Sequence, residues 1–262
     1  RDKTTFQSHL VKNEDVKNYN CAAVSKSRTQ VYLFPSAVLQ SISGFGFSLL
    51  AMPLLSIFVD VQDAVVIATL CGIFTNAVHL KKDLQLVDQA IARRISLSAL
   101  IGMPLGVVVL SVFSATQMRA IIGAVIVVLV YLMMRNFVLK TENTTVDIFL
   151  GAFSGLLATS VSTNGPPLVF LLQSKQLDPW RLRATLAYVF TISGCASFIV
   201  LMIARKGSIE AFQYAILSLP AMYLGTVVGR KARHRVTQEA FQRLMYVLLL
   251  ATGASTTLAA FF

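Results

Sequence analysis

Charge is what this 262-residue chain has least of. Only 13% of its residues are Asp, Glu, Lys or Arg, against about 25% in a soluble domain, while 55% are hydrophobic and the mean hydropathy is +0.69. Seven or eight apolar segments fill residues 31–262 and leave no room for a second, soluble domain. Cysteine is scarce too. Cys21, Cys71 and Cys195 lack metal or redox spacing, and the two in apolar segments read as small hydrophobes. Three scattered histidines and no Asp pair supply neither a nucleophile–base pair nor a metal cluster, which argues against an intramembrane enzyme and gives no reason to expect a cofactor or metal. The expected crossings hold acids only near their ends, as at Asp60 and Asp63, whereas a proton-coupled carrier generally needs a buried carboxylate or histidine. The net charge of +11 would suggest nucleic acid in a soluble protein; here it reads as loop charge that sets orientation in the bilayer.

The chain is organised around an interruption. Ser160-Val-Ser-Thr-Asn-Gly-Pro-Pro-Leu168 breaks an apolar run from about Val146 to Leu172. Proline lacks an N–H and clashes with the preceding turn, so one continuous helix is excluded and two short helices meeting at a polar break are expected. Pro166 and Pro167 suit the first turn of the second helix. Its free amides and positive dipole end then face the break, beside the neutral groups of Ser160, Ser162, Thr163 and Asn164. Broken backbone at membrane depth survives only inside protein or along a watery cavity, and a helix start there is an anion site. The competing reading is a plain proline kink closed by Ser and Thr side chains. Val31–Phe58 is interrupted in the same way by Ser41-Ile-Ser-Gly-Phe-Gly-Phe47.

Further helices are expected at about 61–80, 95–113, 117–139, 181–204, 209–229 and 241–262, after a polar lead at 1–30 that carries six Lys/Arg and no apolar core of a signal peptide. The chain also repeats itself. Ala68-Thr-Leu-Cys-Gly-Ile-Phe-Thr75 matches Ala184-Thr-Leu-Ala-Tyr-Val-Phe-Thr191 at five of eight positions. Gly102-x-x-x-Gly106 is echoed by Gly225-x-x-x-Gly229, and Thr116-Gln117 by Thr237-Gln238. Each copy of the first match follows an interrupted segment by about the same distance, and these four matches in one order give two repeats, 31–139 and 146–262.

Loop charge separates two topologies. If both interrupted segments cross the membrane, Lys and Arg divide 8 against 9 between the faces. If each is a re-entrant hairpin, 14 fall on one face and 3 on the other, and the basic face is cytoplasmic. The expected fold is therefore all-α, a polytopic integral membrane protein of two inverted repeats, each a re-entrant or broken helical hairpin plus three transmembrane helices.

Two hairpin tips meeting near the midplane would surround an oxyanion with N–H and O–H donors. The residues expected to bind it are Ser43, Gly44, Phe45 and Gly46 on the first tip, Ser162, Thr163, Asn164, Gly165 and Leu168 on the second, and Thr75, Asn76, Tyr188 and Thr191 on the repeated helices. Back-bonding to their own helix is the other reading of the threonines. Arg181 and Arg183 mark a positive mouth, or else ordinary inside-positive anchoring.

Gly44-Phe-Gly-Phe-Ser-Leu-Leu-Ala-Met-Pro-Leu-Leu55, Asn164-Gly-Pro-Pro-Leu168 and Arg183-Ala-Thr-Leu186, in this duplicated layout, resemble the sulfite exporter TauE/SafE (TSUP) family over about residues 34–260. The resemblance implies a secondary transporter of small sulfur anions: sulfite, thiosulfate or organosulfonates such as sulfoacetate. For an exporter no coupling ion is needed, because a negative interior drives each anionic charge outward by about 2.3 kcal/mol per 100 mV. The alternative is the same fold carrying small carboxylates or a cation-coupled substrate. The expected partners are a small anion and the lipid bilayer of a bacterial inner membrane, with basic loops cytoplasmic, no nucleic acid, and a homo-oligomer compatible with the pattern.

Overall fold

The computed structural model describes residues 29–232 apart from 115, 119, 122, 123, 125–127, 129, 130, 132–143 and 176. The polar lead, the Thr237-Gln238 echo and the helix expected at 241–262 lie outside them, except that Thr29 and Gln30 of the lead are described and are helical. The described residues are helical, with no strand among them. In chain order they form α1 (29–43), α2 (Phe47–Phe58), α3 (Val61–Asp83), a 3-10 turn (Leu84–Leu86) and α4 (Gln89–Val112). Then come α5 (helical at 116–118, 120, 121, 124, 128 and 131), α6 (Thr144–Ser160), α7 (Gly165–Ser174), α8 (Pro179–Ile203) and α9 (Ile209–Ala232).

Among the described residues, four helices are long and apolar enough to cross a membrane: Val61–Lys81, Gln89–Val112, Trp180–Ile203 and Ile209–Ala232. Three of them start on an aspartate cap. Asp60 accepts from the amide of Gln62, Asp88 from Ile91, and Asp178 from Trp180. The Asp88 cap explains why α4 begins six residues before the expected 95. Arg93 and Arg94 lower the hydropathy of that turn, but the cap and an ion pair of Arg94 keep it helical.

The helices beside the breaks whose bounds are described are short. At 1.5 Å per residue, α2, α6 and α7 span about 18, 26 and 15 Å, each less than the ~30 Å hydrocarbon core. The helices on either side of each break pair as hairpins. The ring of Tyr32 at the start of α1 stacks on that of Phe58 at the end of α2, centroids 5.0 Å apart. Asp147 at the start of α6 lies 2.9 Å from Lys175, just past the end of α7. At the second turn Ser154 Oγ donates to Asn164 O across 3.3 Å. A continuing helix would have carried that carbonyl about 15 Å further on.

The two hairpins begin at opposite ends of the molecule. α6 runs alongside α4 in the same direction: Arg94 pairs with Asp147, Gly155 abuts Ala99 and Gly106 abuts Leu156. α1 runs alongside α9: Gln30 donates to Leu217 O, Gly225 abuts Phe34 O and Gly229 abuts Val38 O. α9 begins where Asp63 accepts from Ser208 N and Oγ, at the start of α3. α4 begins at the far end of α3, where Asp88 N donates to Thr185 Oγ1 of α8. The glycine pairs expected at 102/106 and 225/229 are what allow these approaches. A Cβ on Gly102 would sit 1.8 Å from Ala152 O, so small residues set the interaxial distance. α3 lies at the centre, with Val65, Ile67 and Cys71 fully buried.

Candidate functional site

The first tip is Ser43–Gly46. Gly44 and Gly46 adopt φ of 85° and 95°, left-handed values that only glycine takes without strain. Gly44 N closes α1 by donating to Gln40 O at 2.7 Å. Ser43 Oγ accepts from Phe45 N. Gly46 then caps α2 without a side chain, so the first amides of α2 find no acceptor at the cap. A side chain at Gly44 would also meet Arg183 Cγ at 3.0 Å, which puts that arginine against the tip rather than out on the rim. Arg181 is exposed.

The second tip, Val161–Asn164, closes α6 with two bonds to one carbonyl: Val161 N and Thr163 N donate to Leu157 O at 3.1 and 3.2 Å. That closure requires a left-handed residue, and here it is Ser162, φ 54°, where glycine is the usual occupant. Its hydroxyl lies 3.2 Å from Thr69 Oγ1 of α3, in a buried pair. Asn164 Nδ2 donates to Ser193 Oγ of α8 at 3.2 Å.

Between the tips lie two adjoining chambers. The larger, about 40 Å³, is walled by Thr69, Ser162 and Ser197 among others. The smaller, about 30 Å³, is walled by Gln40, Phe45, Gly46, Thr163 and Gly165. Ser48, Gly72, Asn76, Asn164 and Phe190 belong to both. Each has room for a few waters. No Asp, Glu, Lys, Arg or His is among the lining residues. Both α2, at Phe47–Leu49, and α7, at Gly165, begin on the walls of the smaller chamber. Thr163 Oγ1 donates to Val161 O and Ser197 Oγ is without a partner among the described residues; the environment is neutral and polar, with two helix starts on its walls, an arrangement that favours negative charge.

Of the residues singled out from the sequence, Phe45, Gly46, Asn76, Ser162, Thr163, Asn164 and Gly165 come together on these walls. Ser43 and Gly44 sit on the first tip away from them. Thr75 and Thr191 donate to Cys71 O and Ala187 O of their own helices, at 2.9 and 2.7 Å. Leu168 is fully buried in an apolar cluster with Val169, Leu172 and Val189, against which Tyr188 packs. Gln40, Ser48, Phe190 and Ser197 line the chambers without having been singled out. Gln40 left a trace, as the one amide in the apolar run 31–58. Ser197 left none, because nothing in the sequence says which face of α8 turns inward.

A family model described as Sulfite exporter TauE/SafE matches residues 32–256. Over 241 residues the chain is 25% identical to a protein of Cupriavidus necator named probable sulfite/organosulfonate exporter TauE, covering 88% of this chain and 93% of that one. It is 30% identical over 106 residues to a Comamonas testosteroni protein named probable inner membrane transporter protein TsaS, covering 39% of this chain and 44% of that one. No solved structure matches.

Proposed function

Because the chain belongs to the sulfite exporter TauE/SafE family of membrane transporters, we propose that it moves small sulfur-containing anions outward across the membrane, by alternating access around the chambers between the two hairpin tips. The observation that carries this reading is convergence. Two helix starts, one from each interrupted segment, meet on one neutral space ringed by amide and hydroxyl groups. An oxyanion with several equivalent oxygens wants donors from more than one side, and a dry site strengthens each bond. The chambers have room for only a few water-sized groups, so a sulfonate enters when the tips part.

Opposed hairpins support two inverted repeats, 31–139 and 146–262, with α1 packed on α9 and α6 on α4 across the divide. Charge supports the orientation. Lys81, Arg93, Arg94, Lys175, Arg181, Arg183, Arg230 and Lys231 gather at the end where α4, α6 and α8 begin, and that end is assigned to the cytoplasm. Arg183, against the first tip, is placed to draw anions inward to the site.

The test is thermal stability of the detergent-purified protein with sulfite, thiosulfate, sulfoacetate, taurine, sulfate and small carboxylates. A binding sulfur anion at about 100 times its dissociation constant stabilises by about 2.7 kcal/mol. Asn164→Ala should cut flux into proteoliposomes by at least about tenfold, with the melting point little changed. A response confined to carboxylates, or one that requires sodium, would replace this reading with the same fold serving another substrate.

A further inference from the structure

One hydrogen-bond relay on the chamber wall has its polarity fixed by the backbone. Gly72 O can only accept, so the Asn76 atom facing it at 2.8 Å is Nδ2. Asn76 therefore turns Oδ1 to Gln40, and Gln40 must answer with Nε2, at 2.5 Å. The ordinary ambiguity of side-chain amides is removed by this succession. Gln40 is left holding its acceptor: Oε1 is buried and has no donor, on a residue 2% exposed that lines the smaller chamber. A hydroxyl on the wall can rotate to donate or accept, but this oxygen cannot become a donor without breaking the relay. A buried acceptor in that position is completed by a ligand or water that brings a proton.

Resting on the reading of the chambers as an anion site, we propose that Gln40 determines specificity by providing a dedicated acceptor for an anion that still carries an acid proton. The site then takes hydrogensulfite, or another singly protonated oxyanion, ahead of the fully ionised form and ahead of an alkylsulfonate. The donors around the chambers hold the charged oxygens, while Gln40 Oε1 takes the proton-bearing one. An ionised oxygen in that position would set lone pair against lone pair.

Binding of sulfite and of methanesulfonate to the full chain in detergent is measured by calorimetry at several pH values on both sides of the hydrogensulfite pKa. Wild type should bind sulfite with an apparent dissociation constant that rises about tenfold per pH unit above that pKa, and methanesulfonate with no pH dependence. Below it, sulfite should bind at least about tenfold more tightly than methanesulfonate. Gln40→Met with Asn76→Leu removes the whole relay and leaves no orphan, since Gly72 O keeps its helical N–H. This variant should bring the two anions to within about twofold. Should the double variant fail to fold, Gln40→Met alone carries the comparison. Equal binding of both anions by wild type, or an unchanged preference in the variant, overturns the role of Gln40 and leaves the transport reading standing. Failure of folded wild type to bind either anion at any pH overturns both.

Discussion

The two hairpins share a backbone plan and differ in nearly every side chain that holds it. The first is closed at its base by an aromatic stack, Tyr32 on Phe58. The second is closed by Asp147, 1% exposed, bridging Arg94 and Lys175 at 2.9 Å each. At the first tip two glycines supply the left-handed turns, and at the second a serine does so and puts its hydroxyl to use against Thr69. The first is packed on α9 through glycines of α9 alone, whereas α4 and α6 contribute two glycines each. The plan follows from chain breaks whose polar tips need protein, not lipid, around them. The chemistry at each end follows from where that end lies: the ionic base sits with the basic loops, and the aromatic base at the opposite end.

That comparison breaks hardest at the glycine seams. Gly102→Ala would place a Cβ 1.8 Å from Ala152 O, while Gly229→Ala would place one 2.6 Å from Val38 O. The first should cost about 3 kcal/mol or more and the second about 1–2 kcal/mol, read as melting points in detergent. Equal losses would mean the two seams are equally tight. Next in size is the ionic base. Asp147→Asn leaves two cations facing each other. With Arg94 41% exposed, the cost should be about 2 kcal/mol rather than the ~3–5 of a fully buried pair. High salt should recover part of it, and no such recovery would remove the electrostatic account. Smallest is Ser162→Gly. Relief of the left-handed serine returns about 1 kcal/mol and loss of its buried bond to Thr69 removes about as much, so the melting point should hold while anion affinity falls. A melting point raised by the equivalent of about 1 kcal/mol would show that the bond to Thr69 contributes nothing.

Much of the architecture was legible in composition and spacing. Hydropathy located the four long helices to within a few residues except at α4, where a cap and an ion pair outweighed two arginines. The interruptions at 44–46 and 161–164 were legible because proline and paired glycines forbid a continuous helix. The lining of the chambers was only half legible. Asn164, Ser162 and Gly46 announced themselves by lying in the breaks. Thr75 and Thr191 carried the same polar label, yet each donates to its own helix. Gln40 and Ser197 lie inside apolar runs whose low periodicity does not say which face turns inward.

What the amino-acid order fixed unaided is the class of object: a membrane transporter of one family, with two polar breaks and its charge gathered in loops. Those properties depend on backbone chemistry and on transfer from water to lipid, which act residue by residue. Only the packed structure decided which side chains share a space. The direction of the hairpins, the meeting of Asn76 with Gln40, and the burial of Asp147 between two cations each require helices far apart in the chain to lie side by side. That depends on glycine-sized gaps between backbones, and no local pattern encodes it.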